Sequence, residues 1–150
     1  MDLARVRISA PRLDIFNQFF YNISMIITKA RPYEEIKTDL EKEKTIGIVS
    51  CNTCARLCQT GGRKVMKELA EKLKKDGYRV VDTDLIGTPC FFQTLAVTQL
   101  RAEITIVLAC EAGSFILQKA FPKKKLVPGL VTVGLGAVDE KEKVTLVRKF

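Results

Sequence analysis

At 150 residues the chain is long enough to form one domain with a hydrophobic core of its own. Hydrophobic residues make up 47% of it and charged residues 28%, a globular composition that excludes a largely disordered chain. The chain has no histidine, which excludes His-dependent catalytic triads and imidazole-ligated zinc sites. Its net charge of +8 comes from scattered lysines and arginines without interleaved aromatic residues. We therefore expect a solvated surface rather than a nucleic-acid site.

The first 30 residues are expected to form an N-terminal helical arm, followed by a cysteine-rich α/β domain at residues 31–150. Apolar side chains recur there at helical spacing, at Ile15, Phe16, Phe19, Phe20 and Ile23. The apolar segment is too short to cross a membrane, and the N-terminus lacks a signal-peptide pattern. The five cysteines are odd in number and unevenly spaced, which is unlike a secreted disulfide framework. These features predict a cytoplasmic protein with reduced thiols.

Strands and helices are predicted to alternate from residue 45 onward, after a short helix that begins near Pro32. Strands are predicted in TIGIVS (45–50), YRVVD (78–82), ITIVLA (104–109), LVPGLVTVGL (126–135) and, at a sheet edge, KVTLVRKF (143–150). Helices are predicted in KVMKELAEKLKKDG (64–77), FFQTLAVTQLRA (91–102) and AGSFILQKAF (112–121). This alternation predicts a mainly parallel sheet with helices on both faces, a three-layer Rossmann- or flavodoxin-like α/β sandwich.

All five cysteines are predicted to lie at the carboxyl edge of that sheet. Cys51 directly follows the first strand, and Cys54 and Cys58 lie in the loop that Cys51 begins. Cys90 lies in the loop after the second strand, and Cys110 directly follows ITIVLA. Open α/β sheets bind their ligands at this edge, so the thiols are the candidate functional residues.

Three chemistries fit this arrangement. The spacing C-x2-C-x3-C supplies three thiolates for an iron–sulfur cluster, with Cys90 or Cys110 as the fourth ligand. A zinc ion held by four cysteines is the second, although zinc usually takes two separated C-x2-C pairs. The third is a dithiol couple formed by Cys51 and Cys54. Packing as small hydrophobic residues suits Cys110 alone but not all five cysteines. A [4Fe-4S] cluster is the favoured interpretation, and Zn2+ is the alternative.

The pair Gly61–Gly62 follows the three-cysteine turn and opens the next helix. Either the pair forms a tight turn, or it lets the backbone approach a bound centre closely with helix N–H groups directed at it. We predict cofactor binding by both glycines, with Thr60 as the cap of the helix. Asp82 and Asp84 are expected to be solvated or capping residues. We find no acid–base pair or nucleophile, so no catalytic residue is predicted and the chain alone is not expected to be an enzyme.

Several segments resemble one family: CNTCARLCQTGG, TPC with Cys90, LACEAG with Cys110, and VPGLVT. They are similar to the C-terminal domain associated with methylenetetrahydrofolate reductase of anaerobic bacteria and archaea, over about residues 27 to 137. Two positions depart from the family pattern, because Ser50 and Glu111 stand where that family usually has glycine.

The resemblance implies an iron–sulfur electron-transfer subunit with Cys51, Cys54, Cys58, Cys90 and Cys110 as the metal ligands. Its partner would be the flavoprotein catalytic subunit of the reductase, which would carry the FMN or FAD. A ferredoxin is a candidate electron donor, since the positive net charge suits an acidic protein. A structural zinc module and a thiol redox sensor in such a complex are the alternative functions.

Overall fold

The computed structural model describes residues 23–150. Within them the chain forms seven strands and four α-helices. The strands are β1 (Ile23–Ala30), β2 (Thr45–Cys51), β3 (Arg79–Ile86), β4 (Ile104–Leu108), β5 (Lys125–Pro128), β6 (Leu130–Val138) and β7 (Val144–Lys149). The helices are α1 (Tyr33–Thr38), α2 (Cys54–Leu57), α3 (Gly62–Lys75) and α4 (Glu111–Ala120), and a 3-10 turn spans Phe92–Leu95. No helix among these residues is long and apolar enough to span a membrane.

The strands form two sheets, and one of them is the parallel sheet that the sequence predicts. It has four strands in the order β3-β2-β4-β5, all parallel. Every side chain of β4 is buried, as the continuous apolar run ITIVL requires of a central strand. The fold is therefore α/β, and the predicted parallel sheet is confirmed.

The second sheet was not predicted. It is antiparallel, with three strands in the order β1-β6-β7. In LVPGLVTVGL (126–135) one strand was expected after Pro128–Gly129, and β6, which begins at Leu130 in the antiparallel sheet, confirms it. The segment also holds β5, which ends at Pro128 in the parallel sheet and was not expected. The predicted edge strand near the C-terminus is confirmed, because β7 lies at the outer edge of this second sheet.

Residues 23–30 of the expected helical arm form β1, so the helical expectation was wrong for this part. The segment ISMIITKA is rich in β-branched residues, which favour a strand once a partner strand is present. That partner is β6, which lies more than 90 residues further along the chain and gives no local signal. The predicted helix at residues 15–23 falls almost entirely outside the described residues.

The helix expected at residues 91–102 was also wrong, since only Phe92–Leu95 form a 3-10 turn. The hydroxyl of Thr94 donates to the carbonyl oxygens of Thr88 at 2.7 Å and Phe91 at 2.8 Å. Such side-chain bonds compete with helical backbone bonds. The other predicted helices are present within two residues of their expected ends, and Gly77 follows α3 with a φ of +86°.

Candidate metal centre

Two of the cysteines lie side by side where the connectivity of the parallel sheet reverses. The chain runs from β2 to β3 on one side and from β4 to β5 on the other. Cys51 is the last residue of β2, and Cys110 follows the end of β4 by two residues as the N-terminal cap of α4. Ser50 pairs with Leu108 between these two strands, so the two cysteines leave the same edge together. Both are buried, and open α/β sheets bind ligands at such a reversal.

The loop that carries Cys90 is tied to the loop that carries Cys54. The hydroxyl of Thr53, the residue before α2, donates to the carbonyl oxygen of Gly87 at 2.6 Å. It also lies 3.2 Å from the hydroxyl of Thr88. Thr53 directly precedes Cys54, and Gly87 and Thr88 lie within three residues of Cys90, so these contacts bring the loop after β3 against the loop after β2.

The Cys90 loop also packs against the first turn of α4. A Cβ atom added to Gly113 would lie 3.1 Å from Cγ of Pro89 and 3.0 Å from Cβ of Ala109. Glycine therefore allows the close approach that places the residue before Cys90 beside the residues around Cys110. Cys90 is half-buried, whereas Cys110 is buried.

The pKa values of two thiols, Cys54 and Cys90, reflect their surroundings. Burial raises the pKa of Cys54, and the nearby thiols of Cys51, Cys110 and Cys90 raise it further. Burial likewise raises the pKa of Cys90, with further increases from Cys110 and Cys51. Negative charge on the sulfur of Cys54 or Cys90 is therefore disfavoured, and a bound cation would offset this effect.

Ile26 lies at the free edge of β1, and its backbone contacts two residues of the three-cysteine turn, Cys54 and Cys58. A hydrogen bond from the Ile26 backbone acts against burial and lowers the pKa of Cys54, because a donated N–H stabilises the thiolate. The carbonyl oxygen of the same residue accepts from the thiol of Cys58, with Sγ and O 3.7 Å apart. The backbone N–H of Thr53 donates in turn to Sγ of Cys51 at 3.4 Å. Cys51 and Cys54 therefore receive donors, whereas Cys58 meets an acceptor.

Gly61 and Gly62 pack against the chain's own residues at this edge. A Cβ atom on Gly61 would lie 2.7 Å from Cβ of Ala55 and 2.8 Å from Oγ of Ser50. Gly62 has a φ of +80°, and its N–H donates to the buried Ser50 hydroxyl at 2.7 Å. The close approach is therefore to β2 and α2, and cofactor binding by these glycines stays a prediction.

The helix cap assigned to Thr60 was wrong, and Ser50 takes that role. The Thr60 hydroxyl lies 2.7 Å from the Thr28 hydroxyl and 3.3 Å from the carbonyl oxygen of Ala55. The sequence contained a signal for Ser50, since it is the one polar side chain between the apolar run of β2 and Cys51. It contained no signal for Ile26, which acts through its backbone.

The antiparallel sheet closes over this edge at three further points. Thr28 of β1 reaches Thr60, and the hydroxyl of Thr132 in β6 accepts from the N–H of Glu111 at 3.0 Å. Glu142, between β6 and β7, pairs with Arg56 of α2 at 3.2 Å. The thiols consequently lie between the end of the parallel sheet and the second sheet.

The side chains at this edge are not gathered around one point. Among residues 23–150, no three Cys, Asp or Glu side chains are arranged to hold a single metal ion. Four sulfurs bound to one tetrahedral zinc ion lie about 4 Å from one another. The thiols would have to draw together to hold such an ion. All five cysteines are free, and no disulfide joins them.

Several charged groups outside the thiol site have structural partners. Asp82, in β3, accepts a hydrogen bond from the backbone N–H of Arg101 at 3.1 Å, in a loop where no helix begins, so this contact is not a helix cap. In the basic run at residues 123–125, the Lys124 ammonium donates to the carbonyl oxygen of Ala102 at 3.0 Å, and Lys125 pairs with Glu41 at 3.0 Å.

Comparisons with protein-family models, with curated proteins and with solved structures found no significant match for this chain.

Proposed function

We propose that this chain is an iron–sulfur electron-transfer protein with one cluster, [4Fe-4S], at the carboxyl edge of its parallel sheet. The observation that carries the proposal is the approach of four thiols, Cys51, Cys54, Cys90 and Cys110, from the ends of three neighbouring strands. Four cysteine thiolates are the usual ligand set of such a cluster. Neighbouring thiols add to the raised pKa values of Cys54 and Cys90, and a positively charged metal centre among them would favour the thiolates.

The hydrogen-bond pattern supports Cys51 and Cys54 as ligands and Cys58 as the extra thiol, which leaves two ligand places for Cys90 and Cys110. A metal ligand must be deprotonated, and a thiolate is stabilised by donors. The Ile26 backbone lowers the pKa of Cys54, and the Thr53 N–H reaches Cys51. Cys58 instead donates to a carbonyl oxygen, a contact that needs the proton on its sulfur. The three-cysteine motif would then contribute two ligands rather than three.

A cluster bound here supplies reversible one-electron transfer. The protein would hold the four thiolates on strand ends and would exclude water around Cys51 and Cys110, which are buried. N–H groups directed at the sulfurs of Cys51 and Cys54 stabilise negative charge, so they would raise the reduction potential.

The strand order also supports the finer fold prediction. Right-handed crossovers from β2 to β3 and from β4 to β5 move in opposite directions along the sheet. The connecting helices α3 and α4 would then cover opposite faces, which is the three-layer flavodoxin-like arrangement. In such folds the ligand binds where the connectivity of the sheet reverses, which in this chain is between β2 and β4.

The partner proposal rests on the resemblance of the cysteine segments to the domain associated with methylenetetrahydrofolate reductase. In such a complex, this chain would pass electrons to a cytoplasmic flavoprotein subunit that carries FMN or FAD. A ferredoxin or another acidic protein would serve as the donor, since a net charge of +8 favours association with it.

The deciding experiment is analysis of iron, acid-labile sulfide and zinc in protein purified without oxygen. We expect about four iron and four sulfide per chain, and an electron paramagnetic resonance signal after reduction. If the analysis found stoichiometric zinc without iron or sulfide, the cysteines would form a structural zinc site and not a cluster site. A metal-free protein with a reversible Cys51–Cys54 disulfide, trapped in cells and found by mass spectrometry, would instead support a thiol sensor. Either result contradicts the proposal.

A further inference from the structure

One face of the antiparallel sheet is turned away from the thiols. In β1, Thr28 faces the three-cysteine turn, because its hydroxyl lies 2.7 Å from the hydroxyl of Thr60. Successive side chains of a strand point to opposite faces of a sheet. Met25 and Ile27, at odd positions of the same strand, therefore point to the face opposite the thiols.

The apolar character of this face continues across β6 and β7. Gly136 of β6 pairs with Met25, and a Cβ atom added to it would lie 2.7 Å from Cγ1 of Ile27. Val138 lies two residues further along β6, and Leu146 of β7 pairs with Gly136. Residues directly opposite each other in antiparallel strands share a face. We call the face formed by Met25, Ile27, Val138, Val144 and Leu146 the outer face.

Burial on the outer face is greatest on the β1 side of the sheet. Met25 in β1 and Val138 in β6 are 4% and 3% exposed, whereas Leu146 in β7 is 47% exposed. A sheet face that meets water leaves the side chains on it partly exposed, above all on an edge strand such as β1. The low exposure of Met25 and Val138 therefore requires a cover over β1 and β6, whereas β7 is left open.

The helices of the described part of the chain lie on the other side of this sheet. Among residues 23–150, the helices that pack most extensively against it are α2, against β1, and α4, against β6. Both lie on the thiol side, since α2 belongs to the three-cysteine turn and Glu111 at the start of α4 donates to Thr132. Met25 and Val138 also lie outside the hydrophobic core around the parallel sheet.

The residues directly before β1 have the composition that the outer face requires of its cover. Residues 15–22 read IFNQFFYN and carry no charge, whereas residues 1–14 contain three arginines and two aspartates. Four apolar side chains recur in residues 15–22 at the spacing of one helix face: Ile15, Phe16, Phe19 and Phe20. Left in water, they would form an apolar patch of the kind that proteins normally bury.

The segment also has a suitable starting point and length. β1 begins at Ile23, which pairs with Val138, so residue 22 adjoins the buried part of the outer face. A helix of eight residues is about 12 Å long, and three strands of a sheet span about 10 Å. Residues 15–22 are therefore long enough to cover the sheet from its β1 side.

We propose that residues 15–22 fold back onto the outer face of their own chain and bury Met25 and Val138. Ile26 lies between Met25 and Ile27, so the segment would hold the β1 edge against the three-cysteine turn. The backbone contacts of Ile26 with Cys54 and Cys58 would then depend on this cover. The segment would thus position one strand of the thiol site.

The test is nuclear magnetic resonance of the full-length protein, purified without oxygen and isotope-labelled in its methionine methyl groups. The chain has three methionines, Met1, Met25 and Met66, so the methyl spectrum is simple. We expect nuclear Overhauser contacts between the Met25 methyl group and phenylalanine rings of residues 15–22. At least one of the conservative variants Phe16→Leu, Phe19→Leu and Phe20→Leu should lose such contacts. Phe16→Ser combined with Phe20→Ser should also shift the Met25 signal towards its position in unfolded protein.

Two controls separate this contact from general damage. Met66 of α3 is 4% exposed and belongs to the core around the parallel sheet, so its signal should stay unchanged in every variant. Tyr21→Ser removes a ring from the opposite side of the predicted helix and should leave the Met25 signal unchanged. If the double serine variant also loses the Met66 signal, it is unfolded, and the three leucine variants decide the question.

Three outcomes would overturn the proposal. The first is a wild-type protein in which Met25 contacts none of these rings. The second is loss of the Met25 contacts in Phe150→Ser and in none of the leucine variants, which would assign the cover to the C-terminal end of the chain. The third is a dimer by light scattering in which the labelled double serine variant regains the Phe16 and Phe20 contacts on mixing with unlabelled wild type. The segment would then cover a second copy. Metal content enters none of these measurements, so the contact is tested independently of the cluster.

Discussion

The carbonyl oxygen of Ile26 accepts a hydrogen bond from the thiol of Cys58, with the two atoms 3.7 Å apart. The same backbone residue lowers the pKa of Cys54. Ile26, at the free edge of β1, therefore accepts a hydrogen bond from the thiol of Cys58 but stabilises the thiolate of Cys54, although both cysteines belong to one motif. This contrast distinguishes the thiols more sharply than their spacing in the chain does.

The first prediction concerns which cysteines hold the cluster. Cys58→Ser should retain iron and sulfide close to wild-type amounts, because a serine hydroxyl can still donate to the Ile26 carbonyl oxygen. Cys54→Ser, Cys90→Ser and Cys110→Ser should each lose most of both, because each removes a ligand. Iron and sulfide analysis of anaerobically purified variants checks this. Loss of the cluster in the Cys58 variant, with retention in the Cys90 variant, would contradict the assignment.

The second prediction concerns the close approach at Gly61. Gly61→Ala should destabilise the protein by about 1–3 kcal/mol, as overpacking of a tight site does. The added methyl group would lie 2.7 Å from Cβ of Ala55 and 2.8 Å from Oγ of Ser50. Gly87→Ala is the matched control, since nothing lies within 4 Å of its added Cβ atom. Urea unfolding measures both variants, and equal free energies of unfolding would show that the packing is looser than described.

The third prediction concerns the cap of α3. Ser50→Ala removes the hydroxyl that accepts from the Gly62 N–H at 2.7 Å and leaves that N–H without its partner in a buried position. We expect a loss of about 1–3 kcal/mol in the free energy of unfolding. Ser114→Ala, in the middle of α4, is the control and should change it little. If both substitutions have the same small effect, Ser50 does not cap the helix.

The fourth prediction concerns the attachment of the antiparallel sheet. The hydroxyls of Thr28 and Thr60 lie 2.7 Å apart. A double-mutant cycle with Thr28→Val and Thr60→Val should give a coupling energy of about 1 kcal/mol. Chemical denaturation of the four proteins provides the values. Additive effects of the two substitutions would mean that the hydroxyl pair does not hold β1 against the three-cysteine turn.

The fifth prediction concerns pH and Glu103. The backbone N–H of Thr45, then the Lys44 ammonium and the Thr45 hydroxyl, lower the pKa of Glu103 to about 2 from its usual 4.5. Because the folded value is depressed, this carboxylate stabilises the fold fully above pH 4.5 and loses its effect as pH falls through 2. Glu103→Gln should therefore be less stable than the wild type near neutral pH, and the difference should shrink between pH 4.5 and 2. Thermal unfolding across this range measures it.

Glu43→Gln is the control for that experiment. Glu43 is exposed and forms no hydrogen bond or ion pair with the described residues. The difference in stability between the Glu43→Gln variant and the wild type should be the same at every pH from 2 to 7. A difference between wild type and the Glu103 variant that stays constant over this range would exclude the depressed pKa as its cause.

The sequence by itself determined the local elements and the placement of the cysteines along them. Continuous apolar runs predicted β2 and β4, and the 3.6-residue period predicted α3. Because Cys51 and Cys110 come at the ends of these apolar runs, their placement at the ends of the two strands was predicted as well. Parallel strands share one carboxyl edge, so the gathering of thiols there could be foreseen. These inferences need only neighbours within a few residues.

The tertiary structure decided which strands are adjacent and what faces each thiol. β1 pairs with β6 across more than 90 residues, and this distant pairing both replaces an expected helix and directs the Ile26 backbone at the cysteines. The strand order places Cys51 beside Cys110, and the packing of Pro89 on Gly113 adds Cys90. A backbone hydrogen bond carries no side-chain signature, and sheet order depends on contacts distant in the chain. Both are therefore properties of the folded molecule that the sequence pattern does not reveal.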